Sequence, residues 1–325
     1  MMTSRDVVRR TIRFQTPDRL AYEFPDEFGS DFYRTYLHPS PDGRPSKGVD
    51  DWGCVWENLG KTNLGEVKDS PLKDWKDFKK LPIPDINREE IWEPVKKAKE
   101  SAGDKYILGN VSSIFERVHF VRGFENTCCD IIENPDNLKM FVNLLADMNI
   151  KIIERYAALG VDGIISCDDW GLQDRLMIKP AAWREIWKPA YYRMYSAAHR
   201  AGIDTWLHSC GYITDILDDL IEAELDVIEM HQQENMGLEL LGERFKGRIT
   251  FFAPVDIQSV MPHGSAGEIK QYCRRMSNIL GSKNGRFIPQ WYSDAAGAGH
   301  TRENIDTMCR EFLKINDELY KHVHH

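Results

Sequence analysis

The sequence predicts an α/β fold, a single (β/α)8 barrel of the TIM type with a loop-rich N-terminal extension. Three observations point there. From residue 104 onward, short apolar runs alternate with amphipathic helices, the pattern of parallel strands joined by right-handed crossovers. Each run ends in groups that ionise or hydrogen-bond, as barrel strands do on their C-terminal face. No GxGxxG or Walker A pattern follows any run, so an open nucleotide-binding sheet lacks its fingerprint.

The chain reads as one barrel domain over residues 1–325, with 1–100 as extension and first barrel elements and 101–325 as the regular core. An amphipathic helix is expected over 4–14, before Pro17. Residues 23–92 are irregular and proline-rich, and a loop region this long is expected to fold against the catalytic face. Within it, 50–56 reads as a short strand with a partner near 61–67. Strands follow at 106–111, 163–169, 204–210, 226–231, 249–256 and 286–292. Helices lie between them over 135–159, 181–201, 213–223 and 266–280, and a last one runs over 302–319 with Thr301 as its cap. These make six strands, and two more are sought within 55–110 to complete eight.

Composition excludes several classes. Of 325 residues, 42% are hydrophobic and 29% charged, as in a globular domain with a sizeable core. A formal charge of -9 does not favour nucleic acid or an anionic membrane surface. No apolar run approaches the roughly 20 residues needed to span a bilayer, and no apolar stretch follows the N-terminal basic residues as in a secretory signal. Seven cysteines without a CxxC argue for a reducing cytoplasm rather than a disulfide framework. His322, His324 and His325 have the look of a tag and are set aside.

The chemistry concentrates at the strand ends. His208 and Cys210 sit two apart at the end of one strand, so both point to the same side. A buried core histidine beside a small thiol would give the same local pattern. Glu229 and His231 repeat the spacing on the next strand. Neighbouring strands lie about 4.8 Å apart, so the four groups are candidates to meet around one zinc ion. His208 and Cys210 would be joined by Glu229 or His231, and a fourth position would stay open, as in catalytic sites. Asp168 and Asp169 form a carboxylate pair of which one is expected to enter the mouth, and Asp168 is the first choice as acid or base. Phe115, Trp170, Asp256, Gln258, Gln290, Trp291 and Tyr292 are the expected substrate-binding groups, with Phe120 nearby.

Several stretches resemble the uroporphyrinogen decarboxylase superfamily, which includes cobalamin-dependent methyltransferases. They are Phe115-Glu116-Arg117, Val121-Arg122-Gly123-Phe124-Glu125-Asn126, Asp168-Asp169-Trp170-Gly171, His208-Ser209-Cys210-Gly211, Val255-Asp256-Ile257-Gln258 and Glu303-Asn304-Ile305. The resemblance covers about residues 100–320 and implies a (β/α)8 barrel. The decarboxylases carry an Arg-x-x-Gly-Arg loop near the N-terminus for substrate carboxylates. Residues 22–31 are acidic instead, and would repel a polycarboxylate. The methyltransferase branch holds zinc with His-x-Cys and a later cysteine. His208 and Cys210 match, but the later position falls at 290–292, where no cysteine stands.

The function expected is a corrinoid-linked, zinc-assisted methyltransferase acting on a small methylated or methoxylated donor or acceptor. The chain has no Asp-x-His-x-x-Gly signature, so cobalamin would come on a separate corrinoid protein. That partner would dock over the mouth, and Trp52, Trp56 and Phe28 are either its anchors or a plug for the barrel end. The alternatives are a metal-free decarboxylase of a small acid and a non-catalytic binding barrel. A homodimer is compatible with the sequence.

Overall fold

The chain is described by a computed structural model for residues 1–58, 60, 65–281 and 286–320. It opens with α1 (Ser4–Ile12), β1 (Phe32–Thr35), β2 (Gly48–Val49), β3 (Val55–Asn58) and β4 (Gly65–Asp69). Next come α2 (Glu93–Ser101), β5 (Tyr106–Asn110), α3 (Glu116–Arg122), α4 (Phe124–Glu133) and α5 (Pro135–Leu159). The middle holds β6 (Gly163–Cys167), α6 (Pro180–Ile186), α7 (Lys188–Arg200), β7 (Asp204–His208), α8 (Thr214–Glu222) and β8 (Val227–Glu229). The chain closes with α9 (Leu238–Phe245), β9 (Thr250–Ala253), α10 (Val260–His263), α11 (Ala266–Leu280), β10 (Phe287–Pro289) and α12 (Arg302–Tyr320).

Among the described residues, seven strands pair in the order β1-β5-β6-β7-β8-β9-β10, and every pairing is parallel. The sheet curls closed at Glu23, which bridges in parallel to Gln290 and antiparallel to Ser30. Its N–H donates to the Pro289 carbonyl (3.1 Å), and its own carbonyl accepts from Trp291 N–H (3.0 Å). The eighth strand is thus reduced to one bridging residue. The two strands sought within 55–110 are not barrel strands, because β3 and β4 join β2 in a separate antiparallel sheet. The first barrel strand is β1, inside the region read as irregular. The part of the expected partner strand at 61–64, and the C-terminal histidines, lie outside the described residues.

Strand parity builds the interior. Phe32, Tyr106, Leu108, Ile165, Trp206, Val227, Phe252 and Ile288 form one buried cluster with Val7, Val8 and Ile12 of α1, so this helix closes the lower end. Arg5 and Arg9 tie α1 to Asp162 at 3.0 and 2.8 Å. The alternate strand residues Ile107, Ile164, Leu207, Ile228 and Phe251 belong to the outer core beneath the helices. The helix expected over 181–201 is two helices meeting at Trp187. Pro189 explains the break, since it has no N–H to give and its ring crowds the preceding turn. Thr301 accepts from Asn304 N–H at 3.1 Å, as expected of the cap. Among the described residues, no helix is long and apolar enough to cross a membrane.

Candidate metal centre at the barrel mouth

The parity that fills the interior also selects the groups at the mouth. Trp206 points inward, so His208 does too, and Val227 and Ile165 carry Glu229 and Cys167 with them. Cys167, His208 and Glu229 share one row of the register across β6, β7 and β8.

Past β7 the chain turns at Gly211, at φ +76°. A Cβ there would lie 2.2 Å from the Gly171 carbonyl oxygen, so only glycine lets these two loops touch. Asp169 Oδ1 accepts from Cys210 N–H (2.8 Å), and Gln232 Oε1 accepts from Gly211 N–H (2.8 Å). The thiol is thereby pinned beside the imidazole, with Cys210 Sγ 3.3 Å from His208 Nε2.

Around this pair the expected residues converge. His208 Nδ1 lies 3.4 Å from Glu229 Oε2, and Glu229 Oε1 lies 3.5 Å from His231 Nε2. The two imidazole centroids are 4.6 Å apart. Gln290 Nε2 lies 3.3 Å from His231 Nε2, and the Tyr292 ring stands edge-on at 5.1 Å. Asp169 Oδ1 is 3.5 Å from His208 Nε2. Burial opposes a charge on His208, yet Cys167, Cys210 and Glu229 outweigh it and hold its imidazole well above the ordinary value. Burial works against an ionised Glu229 as well, but His208, His231 and Arg34 hold it well below the ordinary range. Burial pushes His231 down, with His208 adding to the effect.

His208, Cys210 and His231 offer ligand atoms that all lie within 4.8 Å of one another. Two nitrogens and a sulfur form a donor set suited to zinc with an open position. Of the two expected third ligands, His231 joins this set and Glu229 backs both imidazoles. A second set, Cys167, Asp169 and His208, meets the same distance and shares His208.

Other expected site residues lie elsewhere. Asp168 follows the inward-facing Cys167 and so points outward, where it is fully buried. It accepts from the N–H groups of Ile114 (3.1 Å), Phe115 (2.8 Å) and Glu116 (3.0 Å), and from the Tyr191 hydroxyl (2.7 Å). Its geometry is that of an anchor for the start of α3, and Asp169 is the carboxylate that reaches the mouth. Phe115 and Trp170 stack at 3.9 Å with neither exposed, so they are wall rather than lining. Asp256 accepts from the N–H groups of Gln258, Ser259 and Val260, each at 3.1 Å, and so caps that turn. Gln258 is exposed, and Trp291 is half-buried beside the Glu23 seam.

Trp52 and Trp56 are also buried, at 1% and 3% exposure, which removes them as docking anchors. Their indole N–H groups donate to the Pro41 carbonyl (2.7 Å) and Asp50 Oδ2 (3.0 Å). Phe28 is half-buried under Arg310.

Four groups at the mouth escaped the sequence reading. Cys167 was legible by parity with His208. Arg34 and Glu23 lie in the segment read as irregular. Arg44 reaches from the extension to Glu116 (2.5 Å) and to the Cys167 carbonyl (3.3 Å). Burial pushes the Glu116 carboxyl up to about 8, with Arg44 pulling the other way.

The family model described as Uroporphyrinogen decarboxylase (URO-D) matches residues 59–288. The chain belongs to the uroporphyrinogen decarboxylase family. Among solved structures it is similar to a methyltransferase from Methanosarcina mazei, with a TM-score of 0.73, 16% identity and coverage of 97% of this chain and 99% of that one. At that identity the likeness is one of fold. Looser likenesses include a D-psicose 3-epimerase (TM-score 0.41, 11% identity, 70% of this chain and 83% of that one). A 3-keto-D-glucoside 4-epimerase from E. coli is similar at TM-score 0.40 and 14% identity, over 67% of this chain and 83% of that one. No curated protein matches the sequence.

Proposed function

We propose that this protein is a corrinoid-linked methyltransferase. It passes a methyl group between a small methylated or methoxylated compound and the corrinoid of a separate protein. The observation that carries the reading is the convergence of His208, Cys210 and His231 at the mouth of a barrel of this family. The later cysteine of the methyltransferase branch would fall at 290–292. There Gln290 and Tyr292 face His231, so a second imidazole supplies the donor that the missing thiol would have given.

Zinc held by these three side chains would act as a Lewis acid on the heteroatom bearing the methyl group. The chain's own groups do the positioning. Glu229 fixes the far nitrogen of His208, and Asp169 holds the Cys210 loop by its N–H. Asp169 is also the carboxylate placed to exchange a proton with the heteroatom that loses its methyl group. A corrinoid protein seated on the mouth would exclude water from the transfer.

Decarboxylation has less support. Arg34 is held by Glu23 and Arg44 by Asp42, with Glu116 also against Arg44, so these two guanidiniums are already engaged by the chain's own acidic groups. The test mixes the protein with reduced corrinoid proteins and candidate methyl donors, and follows the cobalt absorbance. Loss of the reduced-corrinoid band, abolished in Cys210→Ala, is the expected result. Carbon dioxide release from a carboxylic acid by the protein alone, without methyl transfer to any partner, would put a lyase in its place.

A further inference from the structure

The mouth holds two charged groups with no part in that chemistry, Arg34 and Glu23. Arg34 follows the inward-facing Phe32 by two residues on β1, so its side chain rises on the inner face. Its guanidinium meets Glu23 as a fork, Nε to Oε1 at 3.1 Å and Nη2 to Oε2 at 2.7 Å. A two-point, planar contact fixes direction as well as distance. The same Nη2 lies 3.9 Å from Glu229 Oε1, and the guanidinium carbon sits 5.6 Å from the Phe252 ring centroid. Glu229 is therefore held on three sides, by Arg34, His208 and His231.

Glu23 is also the residue that closes the barrel. Its backbone bonds to Pro289 and Trp291, on either side of Gln290, whose amide touches His231. The place where Glu23 bridges the sheet closed is thus tied to the donor cluster twice, through Arg34 and through Gln290.

We propose that Arg34, seated by Glu23, is a positioning residue. It fixes the Glu229 carboxylate against His208 and His231 and thereby sets the metal affinity of the His208–Cys210–His231 cluster. The inference rests on the reading of that cluster as a metal site. Carboxylates behind metal-bound imidazoles orient the ring, and losing such a partner costs about 10–100-fold in affinity or activity.

The experiment titrates Co(II), as a spectroscopic probe, into metal-free protein and into Arg34→Met, Arg34→Lys and Glu23→Gln. Affinity and the visible ligand-field bands are both read. Arg34→Met should bind about tenfold or more weakly, with displaced bands. Arg34→Lys keeps the charge without the fork and should recover part of the loss. Glu23→Gln should shift both readouts in the same direction by less. If Arg34→Met melts as a folded protein and binds Co(II) with wild-type affinity and spectrum, the inference is overturned while the metal-site reading stands. If Arg34→Met does not fold, Arg34→Lys and Glu23→Gln decide by the same two readouts. If the wild-type protein gives no thiolate–imidazole Co(II) spectrum, the metal-site reading falls and takes the inference with it.

Discussion

His208 and Glu229 stand opposite each other on neighbouring parallel strands, with His208 Nδ1 3.4 Å from Glu229 Oε2. The other ring nitrogen of His208 faces Cys210 Sγ at 3.3 Å. One imidazole is thus engaged at both ends, by a carboxylate behind and a thiol in front. That is the arrangement in which a backing carboxylate fixes which nitrogen is free to bind a metal.

The first prediction follows from that pairing. Cys210→Ala removes one of three donors, and Glu229→Gln removes only a backing charge. Elemental analysis should find zinc close to about one ion per chain in the wild type, and traces in Cys210→Ala. Glu229→Gln should keep the metal but bind it about 10–100-fold more weakly. Full zinc occupancy in Cys210→Ala would take the thiol out of the donor set.

The second prediction concerns the extension. Arg117 has no exposed surface and pairs with Asp50 at 2.6 Å and Asp42 at 3.4 Å, while also donating to the Gly43 carbonyl at 3.3 Å. Arg117→Met takes the guanidinium away from Asp50 and Asp42, which are half-buried and keep the Trp56 indole N–H and Arg44 as partners, and the loss should be about 1–3 kcal/mol. Urea denaturation reads it directly. A midpoint within error of wild type would mean that 42–50 is held by something other than this guanidinium.

These pairs mark how far the sequence could be read. Strand parity puts His208 with Cys210 and Glu229 with His231 from the sequence alone, because a period of two follows from the pleat. It also meant that only one of the two adjacent aspartates could face the mouth, but which one follows only from the pairing of Cys167 with His208. Arg34 was not legible. Its strand is four residues long, lies among prolines and glycines, and shows no alternation beyond Phe32 and Arg34. Trp52 and Trp56 stayed open between anchor and plug for a related reason. Aromatics in an irregular segment resemble surface anchors until their indole N–H groups find Pro41 and Asp50.

The third prediction is a pH dependence far from the mouth. Asp204 starts β7 at the closed end of the barrel, accepting from the Tyr106 hydroxyl at 2.9 Å. Burial pushes its carboxyl from 3.8 up to about 6, Asp226 adds to the rise, and Tyr106 and Arg13 oppose it. The folded state therefore holds this proton more tightly than the unfolded chain. Its contribution to stability is complete below about pH 4 and is lost as pH rises through about 6. A shift of about two units corresponds to about 3 kcal/mol. Asp204→Asn can still accept from Tyr106, and it should flatten the decline in stability between pH 4 and 6. An unchanged slope would show that another group titrates there.

The last prediction separates the paired aspartates. Asp168 receives three backbone N–H groups and the Tyr191 hydroxyl, all aimed at carboxylate oxygens in a fully buried place. In Asp168→Asn, the amide nitrogen must face at least one backbone N–H in either orientation, and neither of those groups can accept. The cost should be about 1–3 kcal/mol, the penalty for a buried polar group without a partner. It should appear as a lower melting temperature with loosened packing at the start of α3. Asp169 is half-buried, and its Oδ1 accepts from Cys210 N–H while facing His208. Asp169→Asn keeps one oxygen for that N–H and so should melt close to wild type. Its turnover with corrinoid protein and methyl donor should nevertheless fall by about 100-fold or more, the share a positioned acid or base supplies. The reverse pattern would return the acid–base role to Asp168. That pattern is a stable Asp168→Asn without activity beside an active Asp169→Asn. It would require the start of α3 to open during turnover, since only then could a substrate reach the buried carboxylate.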